Sequence, residues 1–330
     1  MGVSGATLFF NMTRPFFSIC IPNFNYGRFL GMCLDSVLNQ TCRDFEVIVC
    51  DNCSTDDSRK ILNSFKDKRL KVIFQEKTVP AAANFNRALF AASGVYIKAL
   101  PSDDLLFPWY LETVREAVRL YPEVQTLITP SVPFKDDGEI QKLISCREEG
   151  KWVLCDINDA LRLNRELKIN MVMPTNNMFR AESFREAGGY PEETIYGSQW
   201  SFDFVLFCKL LVVGPIALYT APLCAERIHH KQGRRRKDSS QVLYDHFWGI
   251  NYLLASKRIN SIEAMHLERL LSTMVGQFFC YGIKNLTLGN FKVAFHTAKV
   301  FCALGLFQRP VYVIESSTKY LRDRFFKRKI

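Results

Sequence analysis

Two adjacent carboxylates, Asp103 and Asp104, follow a short run of β-branched and aromatic residues that begins at Val95. The run predicts a buried strand, and it ends before the aspartates because two charges do not belong in a strand interior. Ligands of open α/β sheets bind beyond the carboxyl ends of the strands. Carboxylate oxygens suit Mg²⁺ or Mn²⁺, which take further ligands from water and substrate phosphates. The alternative is that Ser102 and the two aspartates cap a helix opened by Pro108.

A third carboxylate, Asp203, stands near the start of a segment, residues 202–213, that is apolar almost all round. A charge is costly on so apolar a segment. Asp203 therefore lies either at the exposed start of a helix, where acidic residues favour the first turn, or in a functional site.

Two histidines, His229 and His230, follow a predicted strand over residues 216–221. From this position their side chains could reach a metal ion or a diphosphate group. The alternative is a histidine pair on the surface beside the basic run 234–237, and the sequence leaves both interpretations open.

Alternating strands and helices are needed to bring these residues together. Apolar runs, each followed by a helical pattern, predict strands over residues 16–22, 45–50 and 70–75 and a fourth from residue 95. Repeated β-then-α units imply a parallel sheet with right-handed crossovers, so the predicted fold class is α/β. The polar residues at the strand ends, Asn23, Asp51 and Asp103, would then line one edge. Ser54 or Thr55 is expected to cap the second helix.

The turns that follow these strands contain no glycine-rich phosphate-binding loop. Both the dinucleotide-binding fingerprint and the Walker loop are therefore excluded at these positions. A phosphate group at this edge of the sheet is expected to be held by a metal ion instead.

The composition is that of an ordered globular protein, with 330 residues of which 48% are hydrophobic and 23% charged. The net charge of +10 is unevenly distributed, because residues 226–330 hold 19 of the 43 basic side chains but 7 of the 33 acidic ones. Residues 320–330 interleave basic and large apolar side chains. This pattern predicts either a helix lying on an anionic membrane surface or a solvated, frayed terminus.

The N-terminal residues lack the basic segment and apolar core of a signal peptide, and no apolar stretch reaches the roughly 18 residues that span a bilayer. We therefore expect a cytoplasmic protein, either free or attached to the inner face of a membrane through its basic C-terminus. Nucleic-acid binding is a further hypothesis, but no nucleic-acid-binding motif accompanies the basic tail.

Four motifs resemble those of family 2 glycosyltransferases, the inverting enzymes with the A-type fold. They comprise residues 18–25, residues 44–56, residues 84–97 and the turn that contains Asp103, in the family's order and spacing. The resemblance covers roughly residues 16–232. It implies a catalytic domain over residues 1–232, built on a Rossmann-like, mostly parallel sheet flanked by helices, and a basic, mostly helical C-terminal region over residues 233–330.

The resemblance also implies roles for individual residues. Asp103 would hold Mg²⁺ or Mn²⁺ with His229 as a candidate second ligand, and Asp203 would be the general base. The residues implied to bind the nucleotide sugar are Pro22, Phe24, Asn25, Asp51, Asn86, Ser102 and Asp103. Phe24 is a possible stacking surface for the nucleoside, and Asp51 matches the aspartate that contacts the base.

These residue types suit the implied reaction on chemical grounds as well. Transfer of a sugar from a nucleoside diphosphate needs a cation to neutralise the departing diphosphate and a carboxylate to take the proton of the acceptor hydroxyl. The implied donor is a UDP-sugar. The implied acceptor is a glycan or a lipid-linked glycan of a surface polysaccharide pathway.

Four positions in three motifs depart from the family pattern. Pro101 stands two residues before Asp103, where the family commonly has another aspartate. Asn52 and Cys53 replace the usual Asp-Gly of the second motif, and Phe202 stands where a glutamate commonly precedes the aspartate. An alternative function is therefore a catalytically silent module that binds a nucleotide sugar or a glycan.

Overall fold

Strands and helices alternate through the first hundred residues, as predicted. The computed structural model, which describes residues 14–167, 172–192, 202–229, 249–268 and 270, gives their bounds. They are β1 (Phe17–Asn23), α1 (Gly27–Leu38), β2 (Phe45–Asp51), α2 (Ser58–Ser64), β3 (Leu70–Phe74), α3 (Ala81–Phe90) and β4 (Tyr96–Ala99).

The elements after β4 are mostly short and do not keep this regular alternation. They are β5 (Leu105–Leu106), α4 (Tyr110–Leu120), β6 (Thr126–Ile128), β7 (Ser131–Phe134), α5 (Asp137–Ser145), β8 (Trp152–Cys155), α6 (Ile157–Leu167), the 3₁₀ turn Pro174–Asn176, β9 (Asn177–Arg180), α7 (Ala181–Glu186), α8 (Phe202–Leu211), β10 (Ile216–Tyr219) and β11 (Cys224–Arg227). The sequence left residues 134–170 without assigned elements.

Eight strands form one large sheet in the order β3-β2-β1-β4-β9-β6-β10-β8. The pairs β2 with β3, β1 with β2, β1 with β4 and β6 with β10 are parallel. Strand β9 runs antiparallel to both of its neighbours, and β8 runs antiparallel to β10. The predicted α/β class with a mostly parallel sheet is therefore confirmed.

Helices cover both faces of the large sheet, which explains why β1 and β2 read as continuous apolar runs. Side chains alternate across a strand, so Ile19 and Val47 pack on one face with α1 and α4, while Cys20 and Ile48 pack on the other with α3 and α8. All four side chains are fully buried. Burying one aliphatic side chain of this size contributes about 1.5–3 kcal/mol. The strand ends are thus fixed by the best-packed part of the molecule.

Three short strands form a second sheet in the order β5-β11-β7. Strand β11 is antiparallel to β5, with Ala225 opposite Leu105, and parallel to β7. Strand β5 directly follows Asp104. Because β11 pairs with β5, the residues after Arg227 pass next to the two aspartates. This sheet, which the sequence did not predict, joins two distant parts of the chain.

The structure shows neither the cap that the sequence predicts for α2 nor the cap that it leaves open as an alternative role for Asp103 and Asp104. Helix α2 begins after Asp57 without a side-chain cap, so neither Ser54 nor Thr55 caps it. Helix α4 begins after Trp109, again without a side-chain cap, so the aspartates at positions 103 and 104 do not cap it. In both cases the polar residues at the strand end bind other loops instead.

Part of the C-terminal region is helical, since residues 249–255 and 261–268 form helices. Leu253 packs in the same apolar cluster as Phe207 and Leu211 of α8. Residues 233–248, 269 and 271–330, which include the basic tail 320–330, lie outside the described residues. Within the described ranges, no helix has the length and apolar character needed to cross a bilayer.

Candidate active site

Asp103 and His229 lie in contact, although 126 positions separate them in the chain. The Nε2 atom of His229 is 3.0 Å from the Oδ2 atom of Asp103, and the two side chains are only 9% and 13% exposed. The pairing of β11 with β5 produces this contact, because it leads the chain after Arg227 back over the Asp103 turn. His229 is therefore not part of a surface pair, and His230 lies outside the described residues.

The donor set of this pair fits a divalent cation that is completed by other ligands. A carboxylate oxygen and an imidazole nitrogen offer two ligands, whereas Mg²⁺ and Mn²⁺ prefer about six. No group of three or more His, Cys, Asp or Glu side chains that could hold a metal occurs within the described part of the chain. The remaining ligands would come from water and from phosphate oxygens of a bound substrate.

Asp104 differs from its neighbour because its carboxylate is buried and bound to the protein. Its Oδ2 accepts a hydrogen bond from the Thr175 hydroxyl, and its Oδ1 accepts one from the Arg227 backbone N–H at 3.0 Å. Burial, with a smaller contribution from the Asp103 charge, raises the pKa of Asp104 well above its usual value. Asp104 thus holds the turn in place and leaves Asp103 as the carboxylate that faces His229.

Two buried cations support this turn, and the sequence analysis missed both. The Nζ of Lys98, in β4, donates to the carbonyls of Thr175 and Asn177 at 2.5 and 3.3 Å, and burial lowers the pKa of Lys98. The Arg227 guanidinium lies between the rings of Phe29 and Phe134, 4.7 and 4.4 Å from their centroids. A single charged residue inside an apolar strand run was the available signal for Lys98.

The guanidinium of Arg227 also links three elements through hydrogen bonds. Its Nε donates to the Asp103 carbonyl at 3.3 Å and its Nη1 to Asp137 at 3.1 Å, at the start of α5. Its Nη2 lies 3.1 Å from the sulfur of Met32 in α1. Arg227 therefore fixes the backbone of the Asp103 turn.

Asp51, at the end of β2, is buried and bound by three local donors. Its Oδ1 accepts from the Asn23 amide at 2.7 Å and the Ser54 hydroxyl at 2.6 Å, and its Oδ2 accepts from the Ser54 backbone N–H at 3.1 Å. A carboxylate offers about four acceptor positions. One position on Oδ2 therefore remains for a further donor.

The loops after β1 and β2 are tied together by side chains. Asn25 has a left-handed backbone with φ of 56°, and its Oδ1 accepts from the Thr55 backbone N–H at 2.8 Å. The Gly27 N–H donates to Asp56 at 2.8 Å, and a Cβ at Gly27 would lie 2.9 Å from the Ser58 nitrogen. Within this frame Phe24 is 43% exposed. Phe24 is thus open to a ring-shaped ligand.

Pro22 and Ser102, which the sequence also predicts to bind the nucleotide sugar, are buried.

Asn86, in α3, binds the segment that precedes Asp203. Its two amide hydrogens donate to the Tyr190 carbonyl and to Glu192, both at 2.8 Å, and its Oδ1 accepts from the Tyr190 N–H at 2.8 Å. The amide is therefore occupied by protein groups. Asn86 positions this turn, and its direct contact with a nucleotide sugar stays a prediction.

Asp203 is the second residue of α8 and lies in its first turn, which is one of the two placements that the sequence left open. The side chain is half-buried, and its Oδ1 accepts from the Phe204 N–H at 2.9 Å. Burial first, and then the charge of Asp203, raises the pKa of the Tyr190 hydroxyl. Asp203 and Tyr190 are thus electrostatic neighbours. The helix position does not exclude a chemical role for the carboxylate.

The sequence-predicted residues therefore fall into three clusters. Asn25 and Asp51 belong to the tied loops after β1 and β2, Asp103 contacts His229, and Asn86 and Asp203 both adjoin Tyr190. The first cluster follows the chain order that the sequence predicted. The other two depend on contacts between distant segments.

Several proteins with similar sequences are named as glycosyltransferases or polysaccharide synthases. The sequence model described as glycosyl transferase family 2 matches residues 18–188. Chondroitin synthase from Escherichia coli is 27% identical over 258 residues, which are 78% of this chain and 35% of that protein. TuaG of Bacillus subtilis, a putative teichuronic acid biosynthesis glycosyltransferase, is 37% identical over 93 residues, which are 28% of this chain and 37% of that protein. The chain thus spans about a third of the length of these relatives.

Solved structures with the same fold cover nearly the whole chain. TarS from S. aureus, crystallised with UDP-GlcNAc, has a TM-score of 0.66 at 16% identity, covering 93% of this chain and 91% of that one. The mannosyltransferase PcManGT from Pyrobaculum calidifontis, in complex with GDP-Man and Mn²⁺, has a TM-score of 0.51 at 15% identity, covering 94% and 88%. These likenesses confirm the A-type fold. The sequence model covers more than half of the chain, and the chain therefore belongs to glycosyl transferase family 2.

Proposed function

We propose that this chain transfers a sugar from a nucleoside-diphosphate sugar, with UDP as the nucleotide, to a hydroxyl group of a glycan or a lipid-linked glycan, with inversion at the sugar. The observation that carries the proposal is the contact of Asp103 with His229 beyond the end of β4. It supplies a carboxylate and an imidazole where a family 2 chain is expected to bind the diphosphate.

Asp103 and His229 would hold Mg²⁺ or Mn²⁺, and the bound cation would neutralise the charge that develops on the departing diphosphate. The buried residues Asp104, Lys98 and Arg227 would fix the Asp103 turn in place. None of these three needs to touch the substrate for this role. The assignment of Asp103 as the ligand follows from the burial of Asp104, whose oxygens are bound by protein donors.

Asp203 would take the proton from the acceptor hydroxyl as that oxygen attacks the sugar carbon. A positioned base of this kind contributes roughly 10²- to 10⁴-fold in rate. A single attack by the acceptor on the face opposite the diphosphate inverts the anomeric carbon. The acceptor is expected beside Asp203, at the start of α8.

The tied loops after β1 and β2 would hold the nucleoside. The free acceptor position on Asp51 Oδ2 matches a ring N–H of a pyrimidine such as uracil, and exposed Phe24 offers a stacking surface. TarS, a fold neighbour, has been crystallised with UDP-GlcNAc and with UDP. This likeness supports UDP as the first nucleotide to test.

The biological setting belongs to the same proposal. Chondroitin synthases and a teichuronic acid glycosyltransferase are among the relatives, and their products are polysaccharides. We therefore place the chain in the biosynthesis of a surface polysaccharide. The basic tail, residues 320–330, would attach it to an anionic membrane on the side where nucleotide sugars are made.

Thermal shift across a panel of nucleotide sugars, each with Mn²⁺ and with EDTA, tests donor binding first. A ligand that binds only the native state raises Tm, and the stabilisation grows with the logarithm of the ratio of ligand concentration to Kd. We expect UDP-sugars to raise Tm in Mn²⁺ and to lose most of the effect in EDTA. The best donor is then offered to glycan acceptors while UDP release is measured. No Tm shift with any donor would contradict the proposal.

A second candidate function, a silent binding module, is favoured by Pro101 and Phe202 at positions that the family commonly fills with acidic residues. The same assays separate the two functions. Donor binding without UDP release, either to water or to any acceptor of the panel, would identify the silent module.

A further inference from the structure

Arg28, the second residue of α1, contacts the candidate metal ligand His229 from the side opposite Asp103. Its Nη2 lies 3.3 Å from the Nδ1 atom of the imidazole. The guanidinium also lies over the ring of Phe29, 4.1 Å from the centroid. Both nitrogens of His229 are therefore engaged, one by Arg28 and one by Asp103.

The contact with Arg28 determines where the imidazole proton lies. A guanidinium is always charged and can only donate hydrogen bonds. The Nδ1 atom must therefore offer its lone pair to Arg28, and the ring proton is on Nε2, where it is donated to Asp103. In this arrangement His229 has no lone pair directed at a cation beside Asp103.

A cation bound by Asp103 and His229 needs the opposite arrangement. It takes the lone pair of Nε2, so the proton has to move to Nδ1. An imidazole N–H at Nδ1 and a guanidinium N–H cannot hydrogen-bond each other, since both are donors. Metal binding through Nε2 and the Arg28 contact therefore exclude each other.

We infer that Arg28 competes with the divalent cation for His229, and that the guanidinium displaced by the cation then pairs with the diphosphate of the donor. The inference rests on the proposed metal site of Asp103 and His229. It adds Arg28 to the site. Arg28 contacts His229 before the cation binds and the diphosphate afterwards.

Arg28 is suited to such a movement, whereas the nearby Arg227 is not. Arg28 is exposed and lies in the first turn of α1, directly after the loop that follows β1. Arg227 is buried between two rings and bound to three elements. A guanidinium is also the side chain best matched to phosphate oxygens, because its fork of N–H groups binds two of them at once.

The inference predicts effects of opposite sign for one substitution. Arg28→Met keeps the length of the side chain and removes both its charge and its donors. Mn²⁺ alone should bind about fivefold more tightly, because the competing hydrogen bond and the neighbouring like charge are gone. UDP in saturating Mn²⁺ should bind at least about fivefold more weakly, because the diphosphate loses a charged partner. A purely structural role would weaken both.

The test measures both affinities on the full chain. Free Mn²⁺ is followed by electron paramagnetic resonance, and UDP binding in saturating Mn²⁺ is followed by calorimetry. Arg119→Gln, which removes an exposed arginine at the far end of α4, is the charge-matched control and should change neither value. Asp103→Asn in the first titration establishes that the bound Mn²⁺ is at the proposed site.

A second measurement reads the imidazole proton directly. In protein labelled with ¹⁵N-histidine, the His229 signals are assigned by their loss in His229→Gln. We expect the proton on Nε2 without metal and on Nδ1 after addition of Zn²⁺, a diamagnetic probe. A proton on Nδ1 before any metal is added would overturn the competition.

The outcomes separate this inference from the proposed function. Mn²⁺ binding that does not depend on Asp103 overturns both. Binding that depends on Asp103 but is unchanged or weakened by Arg28→Met overturns the competition and leaves the metal site standing. Tighter Mn²⁺ binding with unchanged UDP affinity overturns the diphosphate contact.

Discussion

The Asp51 loop and the Asp103 turn lie at the carboxyl ends of the two strands that flank β1, yet they are held in different ways. Asp51 is bound by Ser54 and Asn23, which are 3 and 28 positions away in the chain. Asp103 contacts His229, 126 positions away. The Asp51 end is thus completed by its own loop and by the neighbouring strand β1, whereas the Asp103 end is completed only by a segment more than a hundred positions away.

This difference indicates that the two regions have different functional roles. The locally built loops have the rigid, hydrogen-bonded frame that is expected for recognition of a constant group, the nucleoside. The Asp103 turn depends on β11 and on buried charges, and it gathers the groups expected to meet the reacting diphosphate. Substitutions in the two regions should therefore separate nucleoside affinity from metal dependence.

The largest effect is expected for Asp103→Asn. An amide in place of the carboxylate removes the charged oxygen that faces the dication, so Mn²⁺-supported binding of UDP should fall by a factor on the order of 100 or more. Calorimetry with Mn²⁺ and with EDTA measures it. Asp35→Asn, an exposed carboxylate on α1, is the control, and Asp104→Asn should matter less. Unchanged Mn²⁺-dependent affinity in folded Asp103→Asn protein would remove the metal assignment.

Asp203→Asn is expected to affect turnover alone. The amide keeps the shape and loses the basicity, so the rate should fall by at least about 10²-fold while donor affinity is preserved. UDP release with saturating donor and acceptor, together with calorimetry for the donor, measures the two quantities separately. This result would show that the base acts from the start of α8, which belongs to neither the Asp51 loop nor the Asp103 turn.

The base assignment has its own contradicting outcomes. Normal turnover of Asp203→Asn, or loss of donor binding together with activity, would show that Asp203 is not the base. Glu192, which binds Asn86, would then be tested next, followed by Glu193, which lies outside the described residues.

Asp51→Asn should give a smaller loss, confined to the nucleoside. The substitution removes an acceptor for three buried donors, so Tm should fall and UDP affinity should decrease by about tenfold. Binding of Mn²⁺ without nucleotide should not change. A loss of Mn²⁺ binding equal to that of Asp103→Asn would mean that the two regions form one coupled site.

Deletion of residues 319–330 is expected to have the smallest effect on the reaction. Turnover with soluble substrates should be unchanged, because the tail is expected to anchor the protein. Binding to anionic liposomes should weaken, since each cation near the surface contributes about 1 kcal/mol. Cosedimentation at low salt measures it, and equal binding of the full-length and truncated proteins would rule out the anchor.

Sequence reasoning predicted the strands β1 to β4 because each reads as a short, largely apolar run, and β1, β2 and β4 are buried almost throughout. The same reasoning wrongly expected Ser54 or Thr55 to cap α2, and it left a cap open as the alternative role for the aspartates at positions 103 and 104, since serine and aspartate at a strand end serve equally well as helix caps or as loop ligands. Only the tertiary contacts, Ser54 with Asn25 and Asp104 with Thr175, distinguish the two uses.

The two buried charged residues that support the Asp103 turn were the hardest to predict. Arg227 and Lys98 are charged, and charged residues are usually exposed. Nothing in the local sequence indicates that Phe29 and Phe134 enclose one of them, or that two carbonyls of another segment bind the other. Such partners are set by packing between elements and not by a spacing along the chain.

The sequence by itself determined the α/β class, the order of the first four strands and the polar residues at their ends, because short apolar runs and the turn residues that end them are local properties. Only the tertiary structure decided that Asp103, and not Asp104, faces His229. That choice depends on the register of β5 against β11, whose residues are more than a hundred positions apart. Pairing over such a separation is fixed by the packing of the whole domain, and no local pattern encodes it.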